Sequence, residues 1–242
     1  EGSGVFDQAH LPQSSVAGLQ SGQNLLLYTF VNGPCKTYDT LQVHAYTPPG
    51  QAFAGNDTAI CTDQFLMLGE APRAGYGFWQ ILNGPASIAN DSLAPSLVEL
   101  PEEGNYAFLW SIGNGVCPME NDTVYLQRDS PGDAAILPED LEICADSLSL
   151  SAGFIAKGLG HWSVLSGAGT FSNPDSVYTE IHQLEAGENL FQWEVSNGAC
   201  ISRDTIQVLS YEKPGPVNAG LNAEICGLLG ALEAEIPETG SG

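Results

Sequence analysis

Positive charge is almost missing from this chain. Six lysines and arginines stand against 29 acidic residues in 242 positions, a formal net charge of −23. Lys36, Arg73, Arg128, Lys157, Arg203 and Lys213 are dispersed and form no basic patch, so nucleic acid and anionic membrane are poor partners. Self-repulsion on this scale favours solubility and an extended arrangement. A saline or divalent-rich setting is the second reading of the acidity. Long apolar runs are missing as well. The longest, Leu25 to Val31, is far short of the ~20 residues that a membrane-spanning helix needs. No leader pattern opens the sequence, which reads as an internal or processed segment. Catalytic signatures are also absent: there is no H-E-x-x-H, no G-x-S-x-G and no phosphate-cradling loop. Gly167–Gly169 imitates a nucleotide fingerprint, but no βαβ unit surrounds it. His10, His44, His161 and His182 follow no pattern with a Ser, Asp or Cys partner. The sequence therefore points away from an enzyme.

What is present is repetition. Cys35, Cys117 and Cys200 are spaced by 82 and 83 residues (117−35, 200−117), and Cys61, Cys144 and Cys226 by 83 and 82 (144−61, 226−144). Gly22, Gly104 and Gly187 keep the same register, as do Asn32-Gly33, Asn114-Gly115 and Asn197-Gly198. Asp39-Thr40, Asp122-Thr123 and Asp204-Thr205 do likewise. Trp79 matches Trp162, and Tyr28 matches Trp110 and Trp193. A fixed period means an array of modules and must be read first. The expected organisation is a C-terminal half-module at 1–49, complete modules at 50–132 and 133–215, and the first part of another at 216–242. Ser166 aligns with Glu1, each 34 residues before its cysteine (200−166, 35−1). The chain thus reads as a window from a longer polypeptide, or as copies that complete each other's half-modules.

Strand signals dominate each module. Asn189–Ser196 alternates apolar and polar residues, Asn197-Gly198 follows as a hairpin signal, and Asp204–Leu209 is the return strand. The same hairpin is expected over Tyr106–Leu126 and Leu25–Val43. Ser147–Ala152, Trp162–Leu165 and Ser176–His182 read as further strands. Short strands separated by Gly, Pro and Asn turns over about 83 residues predict an all-β, seven-stranded sandwich with strands A to G. Trp79 and Trp162 lie 18 residues after a cysteine (79−61, 162−144), on strand C; Trp110 and Trp193 fall on strand F. All four are expected in the core rather than on a carbohydrate-stacking platform. The aromatics in general recur at core-facing positions.

The run Ala219–Cys226, with a Leu-rich strand, a Trp, and Asn-Gly-x-Cys followed by Asp-Thr, resembles tandem Ig-like and polycystic-kidney-disease-like (PKD-like) repeats. Such repeats occur in large surface and gliding-associated adhesins of Bacteroidota. The resemblance covers essentially the whole chain. It implies export by that phylum's outer-membrane route, although the terminal sorting domain of such proteins is not in this sequence. It also implies sugar on hydroxyls that follow an Asp and precede an aliphatic residue or Ala. These are Thr40, Thr58, Ser92, Thr123, Ser147, Ser176 and Thr205. The plain alternative is that Asp turns the chain and Thr opens a strand. Asn56, Asn90 and Asn121 fit N-x-Ser/Thr, a frequent chance match.

Regular spacing makes Cys35, Cys61, Cys117, Cys144, Cys200 and Cys226 disulfide candidates and implies an oxidising compartment, with six reduced, buried thiols as the plain alternative. No C-x-x-C is present, which argues against zinc and thioredoxin-like chemistry. Two connectivities stay open. The A–B and F–G turns lie at opposite ends of a sandwich, ~25 Å apart, whereas a disulfide needs Cα atoms within ~7 Å. That favours a staple between modules, Cys61–Cys200. Pairing within modules, Cys61–Cys117 and Cys144–Cys200, is simpler but requires strand A to depart from this topology. The linkers Thr47–Gly50, Ser130–Gly132 and Lys213–Pro216 are short and Pro-rich, hence semi-rigid. No cofactor is expected. Calcium is the one candidate ion, on Asp57, Asp122, Glu139 and Asp140 near module ends. The expected function is a structural or adhesive repeat segment of a large extracellular surface protein, a rod, filament or stalk. Its partners would be further modules or copies of itself. The alternative is a carbohydrate-binding or accessory array of a secreted protein, with surface polysaccharide as partner.

Overall fold

The computed structural model describes residues 4–222, 224–231, 234 and 235. Every regular element among them is a β-strand, and none is a helix long and apolar enough to cross a membrane. The chain packs as two compact units, Glu1–Arg128 and Asp129–Gly242.

The first unit opens with β1 (Val5–Phe6) paired to β2 (Val16–Ala17), then the hairpin of β3 (Gly22–Asn32) and β4 (Cys35–Ala45). Seven strands follow. They are β5 (Thr58–Ile60), β6 (Gln64–Leu68), β7 (Tyr76–Asn83), β8 (Ser87–Ile88), β9 (Pro95–Glu99), β10 (Gly104–Gly113) and β11 (Glu120–Arg128). They form a four-stranded sheet, β5-β11-β10-β7, and a three-stranded sheet, β6-β9-β8. The second unit repeats the plan with β12 (Leu141–Ile143), β13 (Ser147–Ser151), β14 (Leu159–Ser166), β15 (Thr170–Phe171), β16 (Tyr178–His182), β17 (Gly187–Asn197) and β18 (Cys200–Ser210). Its sheets are β12-β18-β17-β14 and β13-β16-β15. Each set is a seven-stranded Ig-like sandwich, with strand A parallel to strand G and all other pairs antiparallel.

Alternation explains the layers. Along β17, Asn189, Phe191, Trp193 and Val195 are buried and the residues between them are less so. The expected tryptophans meet across strands C and F. Trp79 pairs with Trp110 at 4.8 Å between rings, and Trp162 with Trp193 at 4.9 Å. Phe108, Val98, Leu100 and Leu126 close the first core, and Phe191, Ile181, Ile206 and Val208 the second.

Two departures from expectation concern the outer segments and the turns. Tyr28 and Phe30, at the places of Trp110 and Ile112, are 53% and 58% exposed on the β3–β4 hairpin. β1 and β2 stand at the places of β8 and β9 in the same register, so the described part of 1–49 carries the counterparts of the last four strands of a complete module. Residues 216–242 carry no strand among the described ones, and Leu221 and Leu229 are fully exposed. In the complete modules strand A pairs with strand G and strand B with strand E, and neither partner strand occurs among the described residues of this stretch. The hairpin loop is not Asn-Gly. Asn32 pairs with Cys35 and Asn197 with Cys200, so Gly33-Pro34 and Gly198-Ala199 form the two-residue loops. A glycine at positive φ (58° and 61°) in the first loop position is the type II′ pattern.

Candidate functional site at the module junctions

Both units contain one repeated constellation, where an F–G tip meets the linker that precedes its own module. In the first, Asn114 Nδ2 donates to Thr47 O at 2.8 Å, and Cys117 Sγ lies 3.8 Å from Tyr46 O. In the second, Asn197 Nδ2 donates to Ser130 O at 2.8 Å, and Cys200 Sγ lies 3.5 Å from Asp129 O. The second tip is held further by Ala199 N, which donates to Asp129 Oδ2 at 2.6 Å. Glycine is needed here twice over. Gly115 and Gly198 have φ of 57° and 61°, and a Cβ on either would stand 2.1 Å from the Tyr46 ring or the Asp129 carboxylate. Asn-Gly-x-Cys is therefore a clamp for the linker as well as a turn signal.

A second repeated device anchors the segment entering each module. Asp122 Oδ2 accepts from Ala54 N at 2.8 Å, and Asp204 Oδ2 from Leu137 N at 2.7 Å. Asp57 Oδ1 accepts from Tyr125 N, and Asp140 Oδ1 from Gln207 N, each at 2.9 Å. Three of the four carboxylates considered for calcium are thus pinning backbone, and the fourth, Glu139, is exposed. No group of three or more His, Cys, Asp or Glu able to hold a metal occurs among the described residues. Two of the three periodic Asp-Thr pairs, Asp122-Thr123 and Asp204-Thr205, have this backbone role, while Asp39 accepts from Thr40 N. Of the hydroxyls of these pairs and the others singled out, Thr40, Ser92, Ser147 and Thr205 are exposed, and Thr58, Thr123 and Ser176 are half-buried.

The cysteines divide. Cys61 and Cys200 are disulfide-bonded, whereas Cys35, Cys117, Cys144 and Cys226 are free thiols. This corrects the expectation of six bonded cysteines and overturns the pairings within modules. The reason is geometric. Cys61 follows Ile60, which stands opposite Arg128 at the far end of β11, while Cys117 lies before its start at Glu120. Eight residues of strand separate those ends by ~26 Å, well beyond disulfide reach.

Tertiary structure also supplies histidine partners that the sequence pattern missed. His161 Nδ1 is 2.6 Å from Asp175 Oδ1, and His182 Nε2 is 3.0 Å from Ser172 Oγ and 3.5 Å from Glu180 Oε2. Folding brings Asp175 to His161 and Ser172 to His182, which linear spacing does not announce, whereas Glu180 lies two residues from His182 on the same strand. Ser172 and Glu180 share one ring nitrogen, so the carboxylate does not orient the imidazole from its other side as a Ser-His-acid set requires. Exposure leaves the three open to water. Aromatics are not confined to core positions either: Tyr76 and Tyr125 are 55% and 58% exposed.

No family model and no curated protein sequence matches the chain. Among solved structures, the PKD domain of the KIAA 1837 protein is similar over 36% of this chain and 92% of its own, at 22% identity and a TM-score of 0.31. Drosophila OTK extracellular domains 3–5 are similar over 82% of this chain and 69% of their own, at 12% identity and a TM-score of 0.44. The fibronectin(III)-like modules of Clostridium thermocellum CbhA are similar over 66% and 90%, at 11% identity and a TM-score of 0.40.

Proposed function

We propose that this chain is a structural, adhesive-type repeat segment of an extracellular surface protein, whose task is reach and display. One observation carries the reading: the same tip-on-linker clamp occurs twice, with identical 2.8 Å bonds from Asn114 and Asn197. A connection repeated in that form opposes bending, and a mechanical array needs this and a catalyst does not. The oxidised state of Cys61 and Cys200 supports an oxidising compartment. Bonded to each other, they staple module 50–132 to module 133–215. Partners in this reading are further modules of the same kind. Sugar on the seven Asp-Ser/Thr hydroxyls and calcium at the module ends belong to the same extracellular reading.

Electron microscopy of the full chain tests the array. Beads at about 35–45 Å spacing are expected for eight-residue strands plus linkers; one undivided globule sinks the reading. Non-reducing peptide mapping should yield a Cys61–Cys200 peptide, and a Cys61–Cys117 peptide refutes the staple. Intact mass above the polypeptide value is the expected mark of glycosylation.

A further inference from the structure

The two complete modules fold on one plan, so each is a control for the other. Their cores correspond, but the outward faces of their four-stranded sheets do not. In module 50–132 this face carries Tyr76, Phe78, Gln80, Leu109, Tyr125 and Gln127, alternating with inward residues such as Trp79, Trp110 and Leu126. Tyr76 and Phe78 stack with ring centroids 6.4 Å apart and planes 17° apart. Phe78 stands opposite Ser111, and Ser111 opposite Asn121, so that row holds no charge. The matching row of module 133–215 is His161, Glu194 and Arg203, where Arg203 Nε donates to Glu194 at 2.7 Å. Gln207 stands in the place of Tyr125. The fold accepts a charged row at these positions, so it does not itself require the neutral aromatic one.

Beside Tyr125 the surface dips into a cleft of about 350 Å³, lined in part by Thr58, Asn105, Tyr125 and Gln127. That is near the lower bound for small-molecule sites. One carboxylate, Asp57, borders it and already accepts from Tyr125 N. Tyr76 and Tyr125 are exposed and Phe78 is half-buried; rings held so on a sheet present flat apolar surface, and the neighbouring amides offer donors and acceptors together. Charge selects among partners. On a chain of −23, an anionic glycan is repelled, and a basic partner is drawn to the carboxylates rather than to a neutral patch.

We infer that the outer face of β7, β10 and β11 binds an uncharged polysaccharide. Sugar rings lie on Phe78 and Tyr125, and Gln80 and Gln127 hydrogen-bond to hydroxyls. From Phe78 to Tyr125 is four residues along β10 and two strands across, about 14 Å by about 10 Å, so the two rings engage separate sugars of one chain. This does not rest on the mechanical reading: a flexible string of beads could bind equally, and a stiff rod could fail to.

The test is affinity electrophoresis and calorimetry of the full chain with hydroxyethylcellulose, laminarin and dextran, and with alginate as the anionic control. At least one neutral polymer should retard the wild type and the Phe78→Ala/Tyr125→Ala variant should bind at least tenfold more weakly. The His161→Ala/Gln207→Ala control should bind like the wild type, and alginate should not bind. If the aromatic variant melts early, Gln80→Ala/Gln127→Ala serves instead, with weaker binding again expected. The inference is overturned if no neutral polymer binds, if neither variant weakens binding, or if alginate binds best. Sedimentation showing self-association that Phe78→Ala/Tyr125→Ala abolishes, without polymer binding, also overturns it and assigns the face to a second copy.

Discussion

Trp110 and Trp193 occupy the same place on strand F, yet only one finds a hydrogen-bond partner. Trp110 Nε1 donates to Glu70 O at 2.9 Å, whereas Trp193 Nε1 is buried without an acceptor among the described residues. Replacing Trp110 by Phe removes a donor and strands a carbonyl, which costs ~1–3 kcal/mol beyond lost packing. Trp193→Phe lacks that penalty. Chemical melts of the two variants should therefore show Trp110→Phe as the more destabilised. Residue position four upstream of a strand-F side chain tells a related story. Asn189 Nδ2 donates to Glu185 O at 2.9 Å, and at the equivalent place Tyr106 Oη donates to Glu102 O at 2.6 Å. Two unlike residues serve one corner, so alignment by residue type conceals it. Asp133 gives a pH dependence. Backbone N–H bonds from Lys157, then Ala156, hold its carboxyl below the ordinary 3.8. A depressed carboxylate stabilises the fold above its unfolded value and loses that contribution as pH falls through the folded one. The melting-temperature gap between wild type and Asp133→Asn should be present near neutrality and close as pH drops below 3.8.

At the scale of elements, the F–G hairpin does two jobs, and each can be broken separately. Asn197→Ala removes one bond to Ser130 O and should cost ~1 kcal/mol, about a fivefold faster proteolytic nick in the linker at 129–132. Gly198→Ala adds a Cβ against the Asp129 carboxylate at positive φ and should cost more, ~1–3 kcal/mol. Equal cleavage of wild type and both variants would show that the tip does not hold the linker. The hairpins and the core tryptophans of strands C and F were legible because alternation and a fixed period are properties of the linear chain, whereas the two-residue loops that set the hairpin register were not. The clamp was not. Thr47 and Asn114 are 67 residues apart, and only folding makes them neighbours. Likewise Asp-Thr reads as a turn or a sugar site until the Ala54 and Leu137 amides are seen upon it.

Over the whole molecule, the prominent feature is the division of the cysteines. Native, non-reducing alkylation followed by peptide mass spectrometry should label Cys35, Cys144 and Cys226 readily and the half-buried Cys117 more slowly. Cys61 and Cys200 should stay unlabelled. Labelling of either oxidised cysteine, or protection of all six, contradicts this division. The acidic balance of −23 also makes a whole-chain prediction: added salt should compact the particle as self-repulsion is screened, visible as a smaller hydrodynamic radius.

The amino-acid order alone determined that this is an all-β array, where its strands lie and which tryptophans fill its cores. Those features follow from period-two burial and an 82–83-residue repeat, both written along the chain. Tertiary structure decided which cysteines are oxidised, which carboxylates pin backbone, and which sheet face is neutral and aromatic. Each of those depends on residues brought together from distant positions, and linear spacing carries no record of such distances.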